Sequence, residues 1–231
     1  MSMRETSKEV KKRTVAACAR LFLENGFTET TMKQICTAAD ITVSTFQNLF
    51  ENRNGVLMDL TVAMFGNQFD MARHFTADKL PLVYEYAVET SIQLTLTELN
   101  ENLRELYTAA YSLPETSEYI YDHMTEKLER IFSGYLPNLE MHDFYEMEIG
   151  SAGLMRSYMA RKCDIHFPLN RKLQRFLETS LRIYRVPEEE IQQIVKYIAD
   201  IDIKHIANEA MQKLFANLEM KLDFKLSRDG E

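Results

Sequence analysis

Tryptophan is absent from this sequence, and glycine, proline and cysteine are scarce. The 231 residues include only seven Gly and five Pro. A strand-rich protein needs a turn roughly every eight to twelve residues, and turns are usually built from those two residue types. Long helices need few of them, so the shortage argues against a β protein. Because 45% of the residues are hydrophobic and can form a core, the composition predicts an all-α fold.

The three cysteines, Cys18, Cys36 and Cys163, lie far apart in the chain and lack the short spacing of a zinc or redox motif. We expect them to be small buried side chains. No N-terminal stretch resembles a signal peptide, and the longest uncharged run, residues 60–69, is too short to span a bilayer. The sequence therefore predicts a soluble, cytoplasmic protein without a membrane partner, and it indicates no cofactor.

The net charge of −8 is unevenly distributed. Residues 1–60 hold eight Lys/Arg and seven Asp/Glu, whereas the remaining chain holds 19 basic and 28 acidic residues, a net charge of −9. An acidic body repels DNA, so only the N-terminal segment is expected to approach a nucleic acid.

Helical periodicity and capping residues predict three helices near the N-terminus, over residues 7–25, 32–39 and 43–50. Thr31 and Thr42 are candidate N-caps. The predicted core of this segment consists of Phe22, Phe27, Ile35, Ile41, Phe46 and Phe50. Two such short helices have the size of a helix-turn-helix unit. We therefore predict a DNA-binding domain over residues 1–53 and a larger helical domain over residues 54–231.

The body is predicted to consist of a linker helix over residues 54–74 followed by six further helices. Their expected ranges are 82–100, 102–112, 115–134, 141–161, 169–184 and 188–221. Proline marks most of their ends, at positions where a new helix can begin.

Many fixed positions in residues 13–57 closely resemble the head of the tetracycline-repressor family. They include Ala16-Ala17, Leu21-Phe22, Asn25-Gly26-Phe27, Thr30-Thr31-Met32, Ile35, Ala38-Ala39, Thr45-Phe46, Phe50, Arg53 and Leu57. The resemblance implies that Thr31 caps the second helix and meets a DNA phosphate, and that Arg53 grips another. Lys33 is also expected to contact DNA. The expected major-groove face consists of Thr42, Val43, Ser44, Thr45, Gln47 and Asn48.

Several positions depart from the pattern of this family. Asp40 stands where relatives usually have Gly, Ser44 where they often have Gly or Pro, and Gln47 where they usually have Tyr. Gln47 and Asn48 can both hydrogen-bond the edge of adenine. The resemblance therefore implies an operator that is atypical for the family.

The body is rich in Tyr and Met, with 11 and 13 in the whole chain. Tyr hydroxyls need partners once buried, so this mixture suits a pocket with an apolar wall and a few polar groups. Together with the resemblance, it predicts an effector pocket between the linker helix and the helices near 82–134. Its expected lining residues are Phe65, Tyr84, Tyr107, Tyr111 and Tyr121.

The chain has five His, but a carboxylate-bridged di-metal bundle needs two Glu-x-x-His pairs. Only Asp202-x-x-His205 comes close, and we interpret it as a solvated or interface pair, so no metal site is expected. Two functions follow. The first is a ligand-responsive transcriptional regulator, a repressor that binds a near-palindromic DNA operator as a homodimer and leaves it on binding a small-molecule effector. The alternative is an all-α enzyme or metal-binding bundle with a helix-turn-helix-like head.

The homodimer prediction rests on the last helix. Its apolar residues are spread over more of the helix surface than the single apolar stripe that packs on the core of the same chain. Ile191, Ile198 and Ile201 fall on different faces from Ile203 and Ala210 if the helix is continuous over 188–221. The helix near residues 145–158, where Gly150 and Gly153 would let a second backbone approach, is the expected companion in a four-helix interface.

Overall fold

The computed structural model describes residues 6–76 and 79–218, and within these ranges all regular secondary structure is α-helical apart from one isolated β-bridge. This confirms the all-α prediction. The helices are α1 (Ser7–Asn25), α2 (Met32–Ala38), α3 (Val43–Phe50), α4 (Arg53–Thr76), α5 (Leu82–Leu99), α6 (Glu101–Ala110), α7 (Pro114–Phe132), α8 (Met141–Ala160), α9 (Leu169–Ile183), α10 (Glu188–Asp200) and α11 (Ile203–Asn217).

The first three helices begin at threonine caps. The Thr31 hydroxyl accepts a hydrogen bond from the Gln34 backbone N–H, while the Gln34 side chain accepts one from the Thr31 N–H, so α2 begins with a capping box. The Thr42 hydroxyl caps α3 by accepting from the Thr45 N–H. Such caps satisfy N–H groups that would otherwise have no intrahelical partner, which explains why helices of seven and eight residues form.

Aromatic side chains fill the space between these helices. The rings of Phe22 and Phe27 meet edge to face with centroids 5.1 Å apart, and Phe46 and Phe50 lie 5.3 Å apart. The four rings are buried together with Ile35, as the periodicity predicts, whereas Ile41 is only partly buried.

The turn between α2 and α3 depends on Asp40, whose φ is +48°. The Ile41 N–H donates to the Cys36 carbonyl at 3.0 Å, closing a Schellman-type end to α2. This geometry favours glycine, and aspartate is among the few other residues that adopt it at modest cost. Residue 40 therefore adopts the left-handed conformation that ends α2.

Helix α5 lies at the centre of the body. Of its 18 residues, 14 are buried, and α4, α6, α7, α8, α9, α10 and α11 all pack against it. Seven of the buried residues are polar: Glu85, Glu89, Thr90, Ser91, Gln93, Thr95 and Thr97. A helix that is buried all round is normally apolar, so these groups need partners inside the protein.

The prediction of one continuous helix over 188–221 is wrong. The chain breaks at Ile201 and Asp202 into α10 and α11, and the Asp202 carboxylate caps α11 by accepting from the His205 N–H at 3.0 Å. Asp202 and His205 are both exposed, as expected for a solvated pair, and the contact between them is this N-cap hydrogen bond. The last part of the predicted helix, residues 219–221, lies outside the described residues.

This break removes the argument that the last helix has apolar surface to spare. Because α11 changes direction, both halves bury their apolar residues in the same chain: Ile191, Ile194 and Ile198 on α10, and Ile203, Ile206, Ala210, Leu214 and Phe215 on α11. On α8, by contrast, a Cβ built on Gly150 or Gly153 meets no atom within 4 Å. The nearby Ile149 is 46% exposed.

Asp40 provides a test of the α2–α3 turn. Replacement by glycine relieves the positive φ but gives the unfolded chain more freedom, so Asp40→Gly should change the free energy of unfolding by less than about 0.5 kcal/mol. A β-branched side chain fits this backbone region worst, so Asp40→Val should destabilise the protein by about 1–2 kcal/mol. Urea denaturation measures both values, and two equally stable variants would contradict the turn geometry.

Candidate functional site

The outward side of α3 is a continuous polar surface. Thr42, Ser44, Gln47 and Asn48 are exposed, and Val43 is 47% exposed. Thr45 is half-buried because its hydroxyl lies 2.9 Å from the Thr42 hydroxyl. This α3 surface is neutral and rich in amide and hydroxyl groups, and Phe46 and Phe50 fix its orientation from the buried side.

Thr31 and Lys33 lie at the start of α2, and both are exposed. Besides accepting from the Gln34 N–H, the Thr31 hydroxyl donates to Gln34 Oε1 at 2.7 Å. The positions predicted to contact DNA on α2 and α3 are thus all accessible or partly so, and each of the two helices presents its N-terminus. Their role in DNA contact stays a prediction.

Arg53 has an intramolecular role that the sequence did not indicate. Its Nη1 lies within 3.0 Å of the carbonyl oxygens of Phe27, Thr28 and Thr30, and its guanidinium lies 4.4 Å from the centroid of the Phe27 ring. Arg53 therefore fastens the α1–α2 loop to the start of α4. Its predicted phosphate contact would have to use the remaining N–H groups.

The other side of the same loop is held by α6. Glu105 accepts hydrogen bonds from the backbone N–H of Phe27 at 2.9 Å and of Thr28 at 2.8 Å. Asn102 Nδ2 donates to the Leu23 carbonyl at 2.7 Å, near the end of α1. We call the contact of Asn102 and Glu105 with residues 23–28 the α6 clamp.

Gly26 makes the α6 clamp possible. Its φ is +88°, and a Cβ at this position would lie 2.5 Å from Glu105 Oε2. Any other residue would be strained and would push the carboxylate away. A charge-assisted pair of hydrogen bonds, accessible only because of one glycine, thus joins the head to the body.

Behind the α6 clamp lies a group of buried polar side chains. Gln68 of α4 donates to the Tyr107 hydroxyl, and the Tyr111 hydroxyl donates to Gln93 Oε1 at 2.9 Å. Gln93 in turn donates to Glu89 on the next turn of α5. We call the following six residues the buried polar cluster: Gln68, Glu89, Gln93, Tyr107, Tyr111 and Glu148, of which Glu148 is described next.

Glu148 of α8 completes the cluster. It accepts hydrogen bonds from Ser151, one turn later, and at 3.4 Å from the Tyr184 hydroxyl. Burial raises the pKa of Glu148 to about 8, and the charge of Glu89 adds to this shift. Burial likewise raises the pKa of Glu89, although Gln93 and Lys127 favour its ionised form. Burial raises the pKa of Tyr111 well above its ordinary value, and the charges of both carboxylates add to this shift.

Two of the buried acceptors have no donor. Glu89 Oε2 and Gln68 Oε1 make no hydrogen bond, and their side chains are at most 2% exposed. An unsatisfied buried acceptor costs about 1–3 kcal/mol. Native proteins keep few of them, so two within one cluster call for a physical explanation.

The five residues predicted to line an effector pocket do not all come together. Tyr107 and Tyr111 belong to the buried polar cluster, and the buried Phe65 packs against Tyr111 with ring centroids 5.9 Å apart. Tyr84 instead packs on Tyr197, and Tyr121 on Tyr145, with centroids 5.2 and 6.3 Å apart. Tyr84 and Tyr121 are half-buried.

The glutamine and glutamate residues of the cluster were missed because the prediction followed aromatic residues. A signal was present: Glu85, Glu89 and Gln93 repeat at intervals of four residues on one side of the helix. Polar groups in that pattern are usually assigned to a solvated face, whereas here α5 has no such face.

A separate apolar cavity of about 490 Å³ lies between α9 and the junction of α10 and α11. Its lining includes Leu173, Leu177, Val195, Ile198, Ile201 and Ile203, and none of the residues predicted for the effector pocket. It exists because α10 and α11 are separate helices.

No protein-family model, no curated protein and no solved structure matches this chain. Over residues 6–76 and 79–218, no group of three or more His, Cys, Asp or Glu side chains is arranged to hold a metal ion. No helix in these ranges is both long and apolar enough to cross a bilayer. The function must therefore be argued from the α3 surface, the α6 clamp and the buried polar cluster.

The raised pKa of Glu148 predicts an unusual pH dependence of stability. The folded protein holds a proton that the unfolded chain releases near pH 4.5, so the contribution of Glu148 to stability falls as the pH rises from about 4.5 to about 8. Glu148→Gln removes this titration and should gain up to about 5 kcal/mol of stability relative to the parent over that interval. Urea denaturation at pH steps measures the difference.

Glu146→Gln serves as the control, since Glu146 is an exposed glutamate on the same helix. It should follow the parent at every pH. A constant difference between Glu148→Gln and the parent across the interval would contradict the assignment of the bound proton to Glu148.

Proposed function

We propose that this chain is a ligand-responsive transcriptional regulator of the tetracycline-repressor type, a repressor that binds a near-palindromic operator as a homodimer and is released by a small-molecule effector. One observation carries this proposal: α6 contacts the N-terminal head through Asn102 and Glu105 and the buried polar cluster through Tyr107 and Tyr111. A single helix thus connects a surface suited to DNA with a buried group suited to a ligand.

The α3 surface supports the DNA-binding part of the proposal. The major groove of B-DNA admits an α-helix, and side-chain amides can make paired hydrogen bonds to adenine. Gln47 and Asn48 are exposed on α3, while Thr31 and Lys33 are exposed on the helix before it. In a helix-turn-helix protein the second helix reads the bases and the preceding helix crosses the backbone.

The α6 clamp supports the ligand response. Glu105 and Tyr107 are two residues apart, so they project from nearly opposite sides of α6. A shift of α6 that accommodates a ligand beside Tyr107 and Tyr111 would also move Glu105 and the loop at Phe27 and Thr28. An effector that binds the shifted state more tightly than the present one changes the population of the two.

Dimerisation is supported by α8 instead of by the C-terminal helices. Ile149 is exposed, and the space beside Gly150 and Gly153 is open, so a helix of a second copy can approach closely. A two-fold dimer presents its two reading helices about 34–36 Å apart, one turn of DNA. Sedimentation equilibrium of the free protein tests this directly, and a monomer at micromolar concentration would remove the two-half-site model.

The buried carboxyl groups also bear on the alternative function, an all-α enzyme. A carboxyl group with a pKa of about 8, as in Glu148, suits a general acid. An enzyme does not need the exposed α3 surface, and an acidic one should not be retained on random DNA in a salt-dependent manner. Retention that falls with salt, followed by selection of an operator from a random pool, favours the regulator.

The α3 surface makes a specific prediction about sequence preference. Asn48→Ala should lose discrimination at one or two base pairs of the selected operator, at a cost of about 1–3 kcal/mol, because one side chain reads at most a few base edges. Lys33→Ala should weaken binding to all sequences about equally and reduce the salt dependence, as loss of a phosphate contact requires. Fluorescence anisotropy with operator variants over a salt series measures both.

Gln193→Ala, an exposed amide on α10, is the matched control and should bind like the parent. If Lys33→Ala changed sequence preference while Asn48→Ala did not, the assigned roles would be reversed. Loss of DNA binding in the Gln193→Ala variant would show that the α3 surface is not the reading surface.

The α6 clamp makes a second prediction. In Glu105→Gln, one of the two backbone N–H groups faces an amide donor in place of a carboxylate oxygen, so the loop should open more often. The amide hydrogens of Phe27 and Thr28 should exchange with solvent roughly 5- to 150-fold faster, corresponding to loss of about 1–3 kcal/mol of charge-assisted hydrogen bonding. Hydrogen exchange followed by NMR gives these rates.

Glu101→Gln is the matched control, because Glu101 is an exposed carboxylate on the same helix, 3.7 Å from Arg104. It should leave the exchange of Phe27 and Thr28 unchanged. Equal protection of the two amides in Glu105→Gln and the parent would mean that the α6 clamp does not hold the head.

A further inference from the structure

The unsatisfied groups in the buried polar cluster are acceptors. Glu89 Oε2 and Gln68 Oε1 have no donor, since the Gln93 amide donates to Glu89 Oε1, the Gln68 amide to the Tyr107 hydroxyl and the Tyr111 hydroxyl to Gln93 Oε1. A ligand that completes this cluster must therefore bring N–H or O–H groups. An anionic ligand would add acceptors beside two carboxyl groups.

The distribution of charge around the cluster also favours a ligand that is not anionic. The interactions of Glu148 are with the hydroxyls of Ser151 and Tyr184 and with the like charge of Glu89. Lys127 does act on Glu89, but its ammonium lies over the Phe69 ring, 3.5 Å from the centroid, and Glu85 also draws on it. Arg130 and Arg73 pair with Glu85, at 2.9 and 3.8 Å. The cluster therefore has two buried carboxyl groups and one partly shared cation.

The walls around the cluster are aromatic. The Tyr184 ring stacks on Phe132 with centroids 4.1 Å apart, and Tyr86 meets both rings edge to face. On the opposite side Phe65 packs against Tyr111. Ring faces attract cations in desolvated sites and provide surface for an apolar body.

We propose that the effector bound by the buried polar cluster is a protonated primary amine with an aromatic or alkyl body, its ammonium donating to Glu89 Oε2 and Gln68 Oε1. This inference rests on the proposed function for its regulatory consequence but not for the site itself. Tyr107 and Tyr111 close the cluster from the side of α6, so the amine binds a state in which α6 has moved. That state has a disturbed α6 clamp, which is how binding would reach the head.

The carboxyl groups should make the affinity of this site for an amine depend on pH. Burial raises the pKa of Glu148 to about 8, so this carboxyl group holds a proton at neutral pH in the ligand-free protein. Burial raises the pKa of Glu89 too, while Gln93 and Lys127 favour its ionised form. An ammonium favours the ionised carboxylate, and binding should release a proton. Affinity should then rise with pH, up to tenfold per unit where one proton is released, and level off above about pH 8. The amine itself stays protonated to about pH 10.

The test uses the full-length protein without DNA and two probes, phenethylamine and tryptamine, in isothermal titration calorimetry. Phenethyl alcohol and hydrocinnamate are the neutral and anionic counterparts of the first probe. Titration in buffers of different ionisation enthalpy counts the protons released. We expect binding of the amines alone, release of up to one proton near pH 7, and at least a tenfold loss of affinity in Glu89→Gln and Glu148→Gln.

Glu178→Gln is the matched control, because Glu178 is also a buried glutamate but is paired with Arg175 at 3.0 Å on α9. It should bind like the parent. If Glu89→Gln does not fold, Gln68→Met removes the second acceptor and should show the same loss. Thermal unfolding of each variant establishes that it is folded before titration.

Absence of amine binding, equal binding of the alcohol or the carboxylate, or unchanged affinity in both glutamate variants would overturn the ligand class. Operator binding is measured separately, with and without amine. Operator binding without any bound amine leaves the regulator proposal standing while this inference fails. Amine binding that leaves operator affinity unchanged supports the site and counts against the regulatory function.

Discussion

The body is organised around the burial of α5, a helix with no exposed face that nevertheless carries seven polar side chains into the core. Two of them bond to the backbone of α5 itself: the Thr90 hydroxyl donates to the Tyr86 carbonyl and the Thr97 hydroxyl to that of Leu94, whereas the hydroxyls of Ser91 and Thr95 make no hydrogen bond. Glu85, nearest the surface, pairs with Arg130. Glu89 accepts a hydrogen bond from Gln93 on the same helix, and Gln93 in turn accepts one from Tyr111 of α6. The buried carboxyl group is thereby connected to α6 through Gln93.

Helix α6 is held at two places by hydrogen bonds of different character. On one side, Glu105 makes charge-assisted bonds to two backbone N–H groups at the edge of solvent. On the other side, Tyr107 and Tyr111 accept from or donate to buried amides. A ten-residue helix is about 15 Å long and does not bend easily, so displacement of one side also moves the other.

Local rules predict most of the helix boundaries. Asn25-Gly26 marks the end of α1, and Thr31 and Thr42 mark the starts of α2 and α3. Prolines mark the starts of α5, α7, α9 and α10. The break after α10 was missed because Ile201 and Ile203 continue the apolar pattern across it, and a single Asp-x-x-His was interpreted by its chemistry instead of as an N-cap. An aspartate that can serve as an N-cap indicates the start of a new helix, even where the apolar periodicity continues across it.

The functional contacts are harder to predict because they join distant parts of the chain. Arg53 meets carbonyls 23–26 residues earlier, and Glu105 meets N–H groups 77 and 78 residues earlier. In both cases the partner is a backbone group, so no pattern of side chains in the sequence indicates the contact. The resemblance assigned Arg53 to a phosphate, whereas three of its contacts are to the protein backbone. Phe65, Tyr107 and Tyr111 were predicted together because aromatic residues on packed helices share a core, but their amide and carboxylate partners were not.

The free-energy cost of these buried, unsatisfied polar groups indicates why such a core would be kept. Replacing buried polar groups by apolar ones of similar volume is often neutral or stabilising, so Glu89 and Glu148 are not needed for stability alone. Two unsatisfied acceptors raise the free energy of the present state by about 1–3 kcal/mol each. Shifting a two-state protein from one dominant form to the other takes about 5.5 kcal/mol of differential affinity. A ligand that satisfies both acceptors would supply a large part of this difference before any apolar contact is counted. The unpaired oxygens would then be the reason that a small molecule can move α6.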